Sequence, residues 1–126
     1  MRPSLMPCLA LLLPVAAASA AEPAAAAPFP ADAIGRPYYD CVHEKAFLYR
    51  GKPEPAIQAA HGACETEATG MEVKLLLEFE PVFAALGPGL REPQEVALKQ
   101  NVQQMVADVD AMVLEELIQQ RARGGK

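Results

Sequence analysis

The chain has 126 residues, a formal net charge of −5, 52% hydrophobic residues and no tryptophan. That length fits one small domain, and an acidic balance leaves no electrostatic footprint for nucleic acid or an anionic membrane surface.

The first residues read as a targeting segment. Arg2 supplies the positive start, Leu9 to Val15 a short apolar run interrupted by Pro14, and Ala18-Ser19-Ala20 a cleavage site of the A-x-A kind. A bilayer span needs about 20 apolar residues, so residues 1–20 are expected to be a cleaved signal peptide rather than an anchor. Cys8 follows Met6-Pro7 instead of the small residues of a lipobox, and is expected to leave with the signal. The mature chain is then about 106 residues long, carries a charge of about −6, and belongs in the periplasm or is secreted. Its two remaining cysteines, Cys41 and Cys64, have one intramolecular pairing available, and export favours it. Residues 21–36 hold Pro23, Pro28 and Pro30 among alanines, which predicts a flexible or extended arm.

A helical domain is expected over residues 37–126. Pro37 suits a first helical position. Tyr38, Val42, Ala46 and Tyr49 then recur at helical spacing, with Cys41 and Leu48 beside the stripe. Gly51 fits the place just past the helix end, and Pro55 opens a second helix. In that helix Ile57, Ala60, Cys64, Ala68, Met71, Leu75, Phe79 and Val82 form one seam. Gly62 is expected to let two backbones approach beside the cysteines, and Pro81 to kink or break the helix near Phe79-Glu80. The midpoint between Cys41 and Cys64 falls inside the turn at Lys52-Pro53. In an antiparallel hairpin the two cysteines therefore meet at one height, roughly 15 Å from the turn, and a disulfide between them is predicted.

Gly87-Pro88-Gly89 is a breaker, and Pro93 is the expected start of a last helix reaching Arg123. Leu98, Val102, Met105, Val109 and Met112 form its apolar stripe, widened by Val106, Val113 and Leu117. The fold class is all-α: a disulfide-stapled hairpin plus a long C-terminal helix, three helices in all.

From Tyr39-Asp40-Cys41 through Ala59-Ala60-His61-Gly62-Ala63-Cys64, about a quarter of the chain, the sequence resembles small exported proteobacterial proteins. In those a cysteine-bearing helix, a short turn near a Pro-Ala step and an Ala-rich helix ending in a second cysteine follow one another. The resemblance implies export and a helical fold, and no activity. The chain is also similar in size, helicity and cysteine count to periplasmic acid-stress chaperones, whose cysteines lie much further apart.

Reactive constellations are sparse. His43 and His61, with Glu44, are ligand types that suit zinc, but no H-x3-H, H-E-x-x-H or C-x-x-C spacing accompanies them. Cys41 has His43 two residues on, and residues two apart do not face each other on a helix. Met71, Met105 and Met112 fall on apolar stripes and read as core rather than as copper ligands. The acidic run from Glu65 to Glu80 reads as a solvated face. The expected protein is therefore not an enzyme, needs no cofactor, and works by protein–protein contact as an inhibitor, adaptor or chaperone; a small metal-binding protein using His43, His61 and nearby carboxylates is the alternative.

Comparing heights in an antiparallel arrangement, the first helix covers only residues 55–68 and 111–123. The half formed by 69–86 and 93–110 lacks a third helix and is the more apolar. Leu75, Leu76, Leu77, Phe79, Val82, Phe83, Val102 and Val106 are the expected interaction surface, covered by a second copy in a homodimer or by another periplasmic protein. The competing expectation is that the arm folds back with Phe29 and Ile34 as plugs.

Overall fold

A computed structural model describes residues 29–124. The predicted signal peptide, and the arm up to residue 28, lie outside the described residues. Among those described there is no strand, and four helices follow one another: α1 (Arg36–Leu48), α2 (Pro53–Ala63), α3 (Glu65–Ala84) and α4 (Pro88–Gly124). None is long and apolar enough to cross a membrane.

The all-α reading holds, but the three-helix count becomes four because the second predicted helix divides at Cys64. That residue leaves helical geometry (φ −111°, ψ 22°), and its N–H reaches back only three residues to the His61 carbonyl. The Ala68 N–H returns to the Cys64 carbonyl, so Cys64 both closes α2 and opens α3. Cys64 is bonded to Cys41, as the symmetric placement about the turn predicted, with the two Cα atoms 6.0 Å apart. Gly62 has a different place from the one expected: a Cβ there would meet nothing within 4 Å, so no close backbone approach depends on it.

The termini of the helices differ in detail from the sequence reading. Gly35 caps α1 and places Pro37 in its first turn. The helix stops at Leu48, so Tyr49 is already extended and Gly51 lies in the loop beyond. Tyr49, placed on the stripe by sequence, is 39% exposed, and Leu48, placed beside it, is 72% exposed. Proline at 53 rather than 55 begins α2. Pro81 does not break α3, which runs on to Ala84. Likewise α4 starts at Pro88, with Pro93 inside it. Each interior proline withholds an N–H from the carbonyl four residues back. Those carbonyls belong to Leu77 and Gly89, both at exposed positions.

The core is one cluster running along α4. Tyr38, Val42 and Ala46 of α1 and Ala56, Ile57 and Ala60 of α2 pack with Cys64 against Val106, Val109, Val113 and Leu117. Met71 and Phe83 of α3, with Leu98 and Val102, carry it toward the α3–α4 turn. Met112, placed on the stripe by sequence, is 40% exposed; the buried line passes through Val106 and Val113 instead. The last residues of the arm are not a free tether. Phe29 and Ile34 pack against the core, Phe29 stacks on Tyr39 at 4.7 Å between ring centroids, and the Arg36 guanidinium donates to the Phe29 carbonyl.

Candidate functional site

Two places on this scaffold concentrate side chains that sequence singled out. The first is polar and ties α1, α2 and α4 together. The Tyr38 hydroxyl donates to Oδ1 of Asp110 at 2.7 Å, and His61 Nδ1 lies 2.7 Å from Asp110 Oδ2 and 2.9 Å from the Tyr38 oxygen. One arrangement of protons satisfies all three contacts: Tyr38 donates to the carboxylate, and a proton on His61 Nδ1 is shared between the other carboxylate oxygen and the phenol oxygen. Tyr38 has no exposed surface. Its burial, then the hydrogen bond to Asp110 and that residue's charge, push its pKa far above the ordinary tyrosine value. One residue on, Tyr39 donates to Glu116 at 2.9 Å, and burial and that carboxylate push its pKa up to about 12.

His43 and His61 do not meet. His43 stacks on Phe47 with ring centroids 4.1 Å apart and has Glu116 at 3.9 Å, whereas His61 is held by Tyr38 and Asp110. Glu44 is exposed and joins neither cluster. The side chain that α1 turns toward His61 of α2 is Tyr38, not Glu44. Among the described residues, the one set of three metal-ligand types with ligand atoms in mutual reach is Cys41, Cys64 and Glu67. Its two sulfurs are bonded to each other, so they offer no thiolate to an ion. The donor set proposed for zinc is thus not assembled in this fold.

The second place is the α3–α4 end. A groove of about 450 Å³ runs between the last turns of α3 and the first turns of α4, and none of the side chains lining it is charged. Leu75, Phe79, Val82 and Leu86 form one wall, and Ala97, Leu98 and Met105 the other. Around this end Leu77 is 69% exposed, Leu90 61% and Val82 55%. Phe79, also exposed, stacks with Phe83 at 6.0 Å.

No family model, curated protein or solved structure matches this chain. The geometry therefore carries the functional reading by itself.

Of the residues expected to form an interaction surface, Leu77, Phe79 and Val82 are exposed, and Leu75 and Leu76 are half-buried. Phe83, Val102 and Val106 are buried at 5%, 3% and 8% exposure; they are core, because the α3–α4 contact suffices to cover the residues facing straight across it. The seam that sequence drew through Phe79 and Val82 rotates onto Phe83 in the last turns of α3. Phe29 and Ile34 do pack back, but around Gly35 and Met71, one turn short of the groove. Sequence reasoning missed Asp110 and Glu116, the acceptors that fix Tyr38 and Tyr39. The available signal was position: Asp110 follows Val106 by four residues and precedes Val113 by three, a carboxylate at the edge of an apolar line.

Proposed function

We propose that this chain is an exported, non-enzymatic interaction protein that works by burying its open α3–α4 end against another protein surface. The observation that carries the reading is the uncharged groove lined by Phe79 and Val82, which stand 42% and 55% exposed. Contiguous apolar surface of this kind marks interaction sites in soluble proteins, and charge-free, Phe- and Met-containing centres are typical of interface cores. The disulfide is in keeping with an oxidising compartment. His61 has the Asp110 carboxylate on Nδ1, as a general base would. Yet among the described residues no hydroxyl or thiol nucleophile is hydrogen-bonded to its other nitrogen, so the cluster reads as a lock between helices.

The test is a photo-crosslinking residue at Val82 in living cells, with Glu115 on the outer face of α4 as control. A discrete adduct at Val82 and none at Glu115 is the expected result. Equal, diffuse labelling at both positions would sink the proposal.

A further inference from the structure

We propose that reduction of the Cys41–Cys64 bond unmasks a metal site, in which the two thiolates and the Glu67 carboxylate hold a divalent cation of the zinc class. The hairpin then has two closures that exclude each other. One is covalent, when the sulfurs are oxidised; the other is bridged by the ion, when they are reduced.

The backbone sets the donors. Cys64 caps α3 and Glu67 is the third residue of that helix; residues three apart share a helix face. Cys41 reaches them from within α1. The two sulfurs and a Glu67 carboxylate oxygen all lie within 4.8 Å of one another. A tetrahedral ion with sulfur at about 2.3 Å and oxygen at about 2.0 Å sets its donors roughly 3.5–3.8 Å apart, within reach of side-chain rotation. Among the described residues no cation pairs with Glu67. Packing across the hairpin does not depend on the bond: Tyr38, Val42 and Ala46 of α1 are buried with Ala56 and Ala60 of α2. The Tyr38 hydroxyl also lies 2.9 Å from His61 Nδ1. These contacts hold the cysteine Cα atoms near their 6.0 Å separation.

The donor types select the ion. Two sulfurs and one carboxylate suit a borderline-soft cation such as Zn²⁺, and not Ca²⁺ or Mg²⁺, which take oxygen ligands. Three protein ligands leave the fourth position to water. Opening the bond takes two electrons, which a dithiol supplies. Its thiolate attacks the sulfur of Cys41, which is half-buried where Cys64 is sealed at 0% exposure, and Cys64 leaves as the thiolate. The helix dipole favours that anion at the start of α3. The second thiol of the reductant then displaces Cys41 and closes the reductant's own disulfide. The two protons of the dithiol end on Cys41 and Cys64, and both are released when the cation binds.

Cobalt(II), a spectroscopic stand-in for Zn²⁺, tests this on the full chain. The protein is reduced with a dithiol, freed of it by desalting, and titrated without oxygen. The expected result is a sulfur-to-cobalt charge-transfer band that saturates at one ion per chain and disappears on adding Zn²⁺. The disulfide-bonded protein is expected to show no such band. Glu67→Gln is expected to weaken binding at least roughly tenfold, the smaller of the losses seen when even a group supporting a ligand is removed. Glu65→Gln, at an exposed neighbouring position, is expected to leave binding unchanged. Zn²⁺ is also expected to raise the melting temperature of the reduced protein and to slow its reoxidation by glutathione disulfide. No band in the reduced protein overturns the proposal. So does a Glu67→Gln protein that binds like wild type, or an ion shared between two chains, seen as a dimer by sedimentation velocity. If reduction alone unfolds the chain, Zn²⁺ restoring the helical circular dichroism supports the site, and Zn²⁺ without effect overturns it. The α3–α4 groove takes no part in these readouts, so they stand or fall apart from the crosslink at Val82.

Discussion

At the stapled end of α4, Val113 and Leu117 are sealed at 0% and 1% exposure; at the open end Leu90 and Val96 stand at 61% and 48%. Both stretches belong to one helix and carry the same kinds of residue. What differs is the number of helices around them. Near Val113, α1 and α2 lie on α4 together, joined by the disulfide and by the Tyr38–His61–Asp110 contacts. Near Leu90, α3 is the only neighbour among the described helices. Two helices bury one stripe on each other and leave the flanking apolar residues in water. Exposure at the open end is thus a consequence of where α1 begins, and it leaves one end of the molecule sealed and the other with apolar side chains in water.

The sharpest way to break that contrast is to loosen the stapled end. Reducing Cys41–Cys64, or replacing both cysteines by serine, removes the constraint on a loop closed over a sequence separation of 23. On the chain-entropy account this costs about 3 kcal/mol, and the melting temperature of a domain this size is expected to fall by more than about 10 °C. Thermal unfolding followed by circular dichroism, with and without reductant, reads it directly. An unchanged melting curve would mean that packing alone holds α1 and α2 on α4. The same reduction is expected to leave the apolar end as exposed as before, so dye binding there should not rise until the transition begins.

Truncation on either side of the contrast gives the next largest effect. Leu117→Ala opens a cavity among α1, α2 and α4 and is expected to cost at least about 2 kcal/mol. Val82→Ala removes a groove-lining side chain that is 55% exposed and is expected to change stability by less than about 0.5 kcal/mol, while weakening association through the groove. Chemical denaturation of both variants, beside sedimentation, separates the two roles. Comparable losses of stability would show that the ends do not differ as described.

The polar cross-links add a pH dependence to the stapled end alone. Tyr39 is pushed up to about 12, so the unfolded chain, with tyrosine near 10, loses that proton first. The folded state therefore keeps this stabilisation below pH 10 and loses it as pH rises from 10 toward 12. Tyr38 acts in the same direction. Alkaline titration followed by tyrosinate absorbance is expected to show both phenols ionising together with unfolding. Tyr39→Phe should shallow the decline above pH 10, and an unaltered profile would assign it elsewhere.

The contrast itself was legible in the sequence, and the reasons show where such reading stops. The Tyr38-Val42-Ala46 stripe and the line from Leu98 to Leu117 were visible because burial along a helix repeats with the helix. The pairing of Cys41 with Cys64 was visible because their distances from one turn are equal. The division at Cys64 was not, since it depends on a single residue's backbone angles beside a tertiary bond. Nor were the acceptors Asp110 and Glu116, which lie more than seventy residues from their tyrosines and are brought near by packing alone. Pro81 and Pro93 misled because a proline's cost to a helix is finite, and α3 and α4 continue through them.

The smallest expected effect concerns the glycines. Gly62 lies in the last turn of α2 on the stapled side, and Gly70 lies within α3 on the way to the open end. Both are exposed, and at neither would a Cβ meet another atom within 4 Å. A helical glycine without a packing role costs entropy and gives nothing back, so Gly62→Ala and Gly70→Ala are each expected to stabilise by about 0.5–1 kcal/mol. The two gains should add, because the positions share no neighbours. The comparison turns on Gly62. Had the backbones of α1 and α2 closed upon it, as its place two residues from Cys64 suggested, alanine there would push the stapled helices apart and destabilise. Equal gains from Gly62→Ala and Gly70→Ala, measured by urea unfolding, would show that the stapled end is held together by Cys41–Cys64 and the side chains facing α4, with no tight backbone crossing. A loss at Gly62 alone would mean that the helices cross closely at that residue, and make the crossing a further source of the stapled end's rigidity.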